Sequence, residues 1–199
     1  MAVLLATSLS NVMTGAPRAV RLTVYWLEAG EQRLMRKVNR WRPPRWMRLW
    51  IIAATRGGDG WLWYAISLVV GLFGGPERWP ALAATGAASG VGIALFLRMK
   101  RLCGRKRPCA LEPNCWTTLL PPDQFSFPSG HTITAFAVAI SLGAFYPALL
   151  PGLLFCAVSV AASRILLGMH FLSDVIAGAG IGGLLGYAAV AVARAIVLN

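Results

Sequence analysis

Five apolar runs divide the chain: residues 61–75 (WLWYAISLVVGLFGG), 81–97, 132–150, 151–167 and 175–193. They reach 15 to 19 residues, near the ~20 that a helix needs to cross a bilayer. No two-residue alternation over ~10-residue segments is present, which excludes a β-barrel. The pattern predicts an all-α fold, a polytopic membrane bundle of five to six transmembrane helices. The first and fourth runs are short or interrupted, and they set that range.

Residues 1–60 differ. They carry ten Lys or Arg. Arg33, Arg36, Lys37 and Arg40 recur at helical spacing, with Leu34, Val38 and Trp41 on another part of the same helix. This predicts an N-terminal amphipathic helix in the headgroup region, ended by Pro43 and Pro44. The stretch WMRLWIIAA (46–54) is too short to span and is expected to be interfacial or re-entrant. Gly57, Gly58, Asp59 and Gly60 predict a turn, with Asp59 expected as the N-cap of the first span rather than a catalytic group. The chain thus divides into a basic, Trp-rich interfacial segment (1–56) and a membrane-embedded domain (57–199). Residues 2–9 are apolar but follow no basic n-region, so no secretory signal is expected.

Composition sharpens the class. Charged residues make up 13% of the chain and the mean hydropathy is +0.61. A soluble domain carries about 25% charged residues. Nineteen Lys and Arg against seven acids give +12. With no nucleic-acid motif present, that charge fits a membrane surface and an anionic substrate. Cys103, Cys109, Cys115 and Cys156 form no CxxC pair, so no zinc site is expected. Gly178, Gly180 and Gly183 match GxGxxG formally, but no strand precedes them. Gly178, Gly182 and Gly186 instead offer small-residue packing between membrane helices.

Threading the spans back and forth brings Lys100, Arg107, Ser129, His131, Arg164, His170 and Asp174 to one membrane face. The loop KRLCGRKRP (100–108) offers Lys100 as a compact charge and Arg107 for bidentate contact with phosphate oxygens. In PSGH (128–131), Pro128 stiffens the entry, Ser129 caps the helix, and Gly130 lets backbone N–H groups approach an anion. The chain's two histidines are His131 and His170. In SRILLGMHFLSD (163–174), Arg164 ends a span, while His170 and Asp174 stand four apart, hence on one face if the segment is helical. A carboxylate that accepts from one imidazole nitrogen leaves the other free to attack. Lys100, Arg107, Arg164 and the backbone of Ser129 to His131 would then hold a phosphoryl group in flight. His170 would attack phosphorus, and His131 would protonate the leaving oxygen and later activate water. No carboxylate cluster suits Mg²⁺; no metal and no cofactor are expected.

These stretches resemble the three-part signature of the type-2 phosphatidic acid phosphatase superfamily. The signature reads Lys, six residues, Arg-Pro; then Pro-Ser-Gly-His; then Ser-Arg, five residues, His, three residues, Asp. Here it falls on Lys100, Arg107 and Pro108; Pro128 to His131; and Ser163, Arg164, His170 and Asp174. The resemblance covers residues 100–174 and implies a phosphohistidine mechanism on membrane lipid phosphates or pyrophosphates. It implies substrates such as phosphatidic acid, phosphatidylglycerol phosphate, polyprenyl pyrophosphate or lipid A. Soluble vanadate-dependent haloperoxidases share the motifs, and the membrane spans argue against that branch.

In the loop 109–127, Trp116, Leu119, Leu120, Phe125 and Phe127 either dip into the bilayer to admit a headgroup or simply pack. About seventeen of the nineteen basic residues fall on the motif face. The positive-inside rule therefore places the site on the cytoplasmic side of a cell membrane, expected to be a bacterial inner membrane. The family more often works on the outer face, and a Cys109–Cys115 disulfide would mark an oxidising compartment. Two alternatives share the sequence features: a lipid phosphotransferase using the same residues, and a non-catalytic protein that binds anionic lipid. The second has no use for His170 beside Asp174.

Overall fold

The computed structural model describes residues 18–111 and 124–197. The described residues form helices α1 (Arg18–Arg40), α2 (Arg45–Gly58), α3 (Trp61–Phe73), α4 (Arg78–Cys103), the short α5 (Pro108–Leu111), α6 (Gly130–Phe145), α7 (Leu150–Leu166) and α8 (Leu172–Val197). Among them, Gly75–Cys103, Pro147–Leu166 and Leu172–Ile196 are long and apolar enough to cross a membrane, and Trp61–Phe73 and Gly130–Phe145 are shorter apolar helices. The all-α membrane bundle is as the apolar runs predict. Trp116, Leu119, Leu120 and Cys115 lie outside the described residues.

Helix α1 ends at Arg40, just before Pro43 and Pro44, as expected. Leu22, Trp26, Leu27 and Leu34 are exposed along it, whereas Met35 is buried. An exposed apolar stripe on a basic helix suits the headgroup boundary.

The first span departs from the sequence expectation. Ile51 of α2 packs on Leu167 and Met169, Thr55 meets Arg164, and Gly58 lies against Val160. Further along, Ile66 and Val70 of α3 share a groove with Leu149, Leu153 and Cys156. The partners step down α7 as the chain steps up, so α2 and α3 run as one path antiparallel to α7, interrupted at Asp59 and Gly60. The expectation separated 46–54 from a span beginning at 61. In the structure both are halves of one broken helix. Gly60 stands at φ +127°, a conformation that side chains with a Cβ resist, and it ends the helical path at that point.

Packing among α4, α6 and α8 relies on small residues. Within a bilayer, helices gain little from burying apolar surface, so close backbone contact and van der Waals packing hold them. A Cβ on Gly178 would meet the Ser129 carbonyl, one on Gly182 the Ile133 carbonyl, and one on Gly186 the Ala137 carbonyl. The small-residue stripe expected at 178, 182 and 186 is therefore the seam between α8 and α6. Gly92 brings α4 against Ile133 in the same way. On the other side of α6, Ala135, Val138, Ala139 and Leu142 pack with Trp63, Leu153, Ala157 and Val160.

This arrangement sets the depth of α6. Its first turn carries His131, which lies beside Gly58 and Val160. Helix α7 continues to Leu166, six residues further, or about 9 Å at 1.5 Å per residue. The N-terminus of α6 is thus recessed below the ends of its neighbours.

Candidate active site

Three chain segments meet at that recess, tied mainly by backbone hydrogen bonds. Ser126 N–H donates to the Arg105 carbonyl at 2.7 Å, and Lys106 pairs with Phe125 in an isolated antiparallel bridge. Ser129 N–H donates to the Asp174 carbonyl at 3.1 Å. Cys109 N–H donates to Gly168 at 3.0 Å, while Met169 and His170 N–H both reach the Arg164 carbonyl. Gly168 turns the chain at φ +66°, lifting His170 off the end of α7. Each signature stretch is therefore pinned to another one.

His170 is 1% exposed. Its Nε2 lies 3.2 Å from Arg107 Nη1 and its Nδ1 lies 3.7 Å from Asp174 Oδ2. A guanidinium can only donate, so Nε2 carries the lone pair and Nδ1 the hydrogen. Burial, with Arg107 and Arg164 nearby, pushes the His170 pKa down to about 3 against the pull of Asp174. The ring is neutral near pH 7, and its lone pair is directed at a cation that binds phosphate oxygens well.

Asp174 is fully buried and holds its orientation through both oxygens. Oδ2 accepts from Phe171 N–H at 2.8 Å, closing the first turn of α8, and Oδ1 accepts from Arg105 Nη1 at 2.6 Å. Arg107 also donates to the Met169 carbonyl at 2.9 Å. Arg164 donates to Thr55 Oγ1 at 2.6 Å. Lys100, in the last turn of α4, is 7% exposed and lies 5.3 Å from the Phe96 ring centroid. The same ring lies against Gly130, where a Cβ would approach it to 3.0 Å. Gly130 is thus needed for packing against α4. Ser129 occupies the N-cap position, but its side chain makes no cap bond and accepts from Thr132 Oγ1 at 2.9 Å. Its N–H is used on Asp174, while the N–H groups of Gly130 and His131, as first-turn groups, have no acceptor within the helix.

All eight predicted residues (Lys100, Arg107, Ser129, Gly130, His131, Arg164, His170 and Asp174) belong to the three interlocked segments and lie at one end of the bundle. Four others were missed. Asp59, expected as an N-cap, is the residue after α2, makes no cap bond to α3, and pairs with His131 Nε2 at 2.8 Å. Thr55 holds Arg164. Arg105 and Glu31 form a chain to Asp174: Glu31 Oε2 lies 2.6 Å from Arg105 Nη2, and Glu31 Oε1 accepts from Ser173 N–H at 2.6 Å. The available signals were modest: an acid in a basic helix, an acid before an apolar run, and a second arginine in KRLCGRKRP.

Known proteins resemble this chain in sequence and in fold. The decaprenylphosphoryl-5-phosphoribose phosphatase of Mycobacterium tuberculosis is 33% identical over 140 residues, covering 68% of this chain and 77% of that protein. The crystal structure of a PAP2-type phosphatidylglycerolphosphate phosphatase from Bacillus subtilis matches at a TM-score of 0.70 and 23% identity, covering 94% of this chain and 92% of that one. That of LpxE from Aquifex aeolicus matches at 0.60 and 26% identity, covering 79% and 92%. The model of the PAP2 superfamily matches residues 78–197, from the start of α4 to the end of α8. The chain belongs to the PAP2 superfamily and is a multi-pass membrane lipid phosphatase.

Proposed function

We propose that this phosphatase works without a metal, through a phosphohistidine on His170. The observation that carries the proposal is the geometry at His170: Nε2 lies 3.2 Å from the Arg107 guanidinium, which can only donate, and Nδ1 lies 3.7 Å from Asp174 Oδ2, so the lone pair is assigned to Nε2. Nε2 attacks phosphorus as the bond to the leaving oxygen breaks. His131 gives that oxygen its proton, then takes one from water as water displaces His170. Lys100, Arg107, Arg164 and the first-turn N–H groups of α6 neutralise the equatorial oxygens, with Ser129 and Gly130 shaping that turn. These cations supply the charge that Mg²⁺ provides in other phosphoryl-transfer sites.

The substrate is a lipid phosphate monoester or pyrophosphate. The mycobacterial relative's name puts a polyprenyl-linked sugar phosphate first on the panel to be tested, ahead of phosphatidic acid, phosphatidylglycerol phosphate and polyprenyl pyrophosphate. Residues 1–56 anchor the enzyme at the interface and residues 57–199 carry the chemistry, with Glu31 and Thr55 reaching across that division. We place the site on the cytoplasmic side of a bacterial inner membrane. The ten basic residues of the N-terminal segment favour that side, and Glu31 ties α1 to the site face.

The test is phosphate release in detergent with EDTA present, comparing wild type with His170→Ala across the panel. Release by wild type alone, with radiolabelled phosphate trapped on His170 after acid-free quenching, is expected. Release that needs added Mg²⁺, or that survives His170→Ala, refutes the mechanism. Release only when a lipid acceptor is added would identify a phosphotransferase.

A further inference from the structure

The site contains a second imidazole–carboxylate pair that the three signature stretches do not include. His131 Nε2 lies 2.8 Å from Asp59 Oδ1, with the two side chains 22% and 42% exposed. Asp59 sits at the break between α2 and α3, where the helical path along α7 is interrupted. Acids next to apolar membrane helices are scarce and normally serve a function. A cap could be provided by many residues, and this carboxylate caps nothing: neither flanking helix receives a side-chain bond from it. Asp59 keeps αR dihedrals at the end of α2, where its carboxylate meets the first turn of α6, and the helical path breaks at the next residue, Gly60, at φ +127°.

We propose that Asp59 is a positioning residue for His131: it holds Nε2–H, fixes the ring, and so assigns proton exchange with the substrate to Nδ1. The proposal rests on His131 acting as the acid and base. The charged groups acting on this ring are Arg164, Lys100 and Asp59. Burial first, then the two cations, oppose a positive ring, and the Asp59 carboxylate counters part of that opposition when Nδ1 is protonated. In the first step the Nδ1 proton passes to the leaving-group oxygen as the P–O bond breaks and the bond from His170 Nε2 to phosphorus forms. In the second, Nδ1 takes a proton from water as the water oxygen bonds to phosphorus and the P–N bond breaks.

A merely structural clamp between α2 and α6 is separated from this role by leaving-group dependence. Two substrates with the same lipid tail are compared, an alkyl phosphate and a para-nitrophenyl-type aryl phosphate whose phenolate departs without a proton. In Asp59→Asn, which preserves shape, kcat on the alkyl ester is expected to fall about 10²-fold, within the range for a placed acid–base group. On the aryl ester the fall should be under about threefold, because that leaving group bypasses the acid. Asp59→Glu should recover part of the alkyl activity. Asp59→Asn added to His131→Ala should cost nothing more, since residues acting as a unit are not additive. Equal losses on both esters in Asp59→Asn, or no loss on either, overturn the positioning role while His131→Ala remains selective. If His131→Ala itself loses both esters equally, His131 is not the acid, and both the proposal and that part of the mechanism fall.

Discussion

Arg105 lies in the first signature stretch but outside the signature's required positions, and the structure gives it a specific task. Its Nη1 reaches Asp174 Oδ1 at 2.6 Å and Ser173 Oγ at 2.8 Å, its Nη2 reaches Glu31 Oε2 at 2.6 Å, and its guanidinium lies 4.2 Å from the Phe171 ring centroid. The side chain is 4% exposed, Asp174 0% and Glu31 12%. Arg105→Gln would leave Asp174 buried without its cation. Removing one partner from a buried ion pair costs about 3–5 kcal/mol. At roughly 2–4 °C per kcal/mol for a chain of this size, Tm in detergent should fall by about 6–20 °C. Asp174 would also lose the contact that holds Oδ2 toward His170, and kcat should fall on the order of 10²-fold with KM little changed. Glu31→Gln retains an oxygen for Ser173 N–H but loses the charged bond to Arg105, and should cost about 1.5–3 kcal/mol. The assay is thermal unfolding by intrinsic tryptophan fluorescence, together with steady-state phosphate release. A Tm within about 2 °C of wild type would refute the buried-pair account. A rise in KM with kcat intact would make Arg105 a phosphate ligand instead.

Two further outcomes follow from the packing and from His170. Gly182→Ala drives a Cβ into the Ile133 carbonyl, whereas the neighbouring Gly183 has open space around it. The first substitution should destabilise by about 1–3 kcal/mol or more, and the second should be neutral or stabilising by up to about 1 kcal/mol; equal Tm values for the two would contradict the α6–α8 seam. His170, with its pKa lowered to about 3 from 6.5, binds its proton in the unfolded chain before it does so in the folded one. Its contribution to stability is therefore intact above pH 6.5 and is lost as pH falls from 6.5 toward 3. Wild type should lose more Tm than His170→Gln between pH 7 and pH 4.5, and parallel curves would show that the ring is not buried neutral.

What the sequence disclosed, and what it concealed, follows from how far each signal reaches along the chain. The membrane helices were legible because bilayer thickness imposes length and composition on every segment. The stripe at Gly178, Gly182 and Gly186 was legible because its four-residue period is local, and the structure supplies its partners: the Ser129, Ile133 and Ala137 carbonyls. Lys100, Arg107, His131, Arg164, His170 and Asp174 stood out as polar groups at costly places. Asp59 did not, because a cap and a catalytic partner look the same until one knows which residue lies across from the turn. The pairing that decides it spans 72 residues. Glu31 and Arg105 pair across 74 and Thr55 and Arg164 across 109, so no local pattern could have joined them. The signature stretches thus supply the groups proposed to meet the phosphate. The groups that hold them come mostly from residues 31–59, outside the matched family region. A segment read from its charge as a surface anchor therefore also braces Asp174 and Arg164, and Asp59, just beyond it, pairs with His131. The placement of α1 and the order of the site are tied, because Glu31 accepts from Ser173 N–H in the first turn of α8 and bonds to the arginine that orients Asp174.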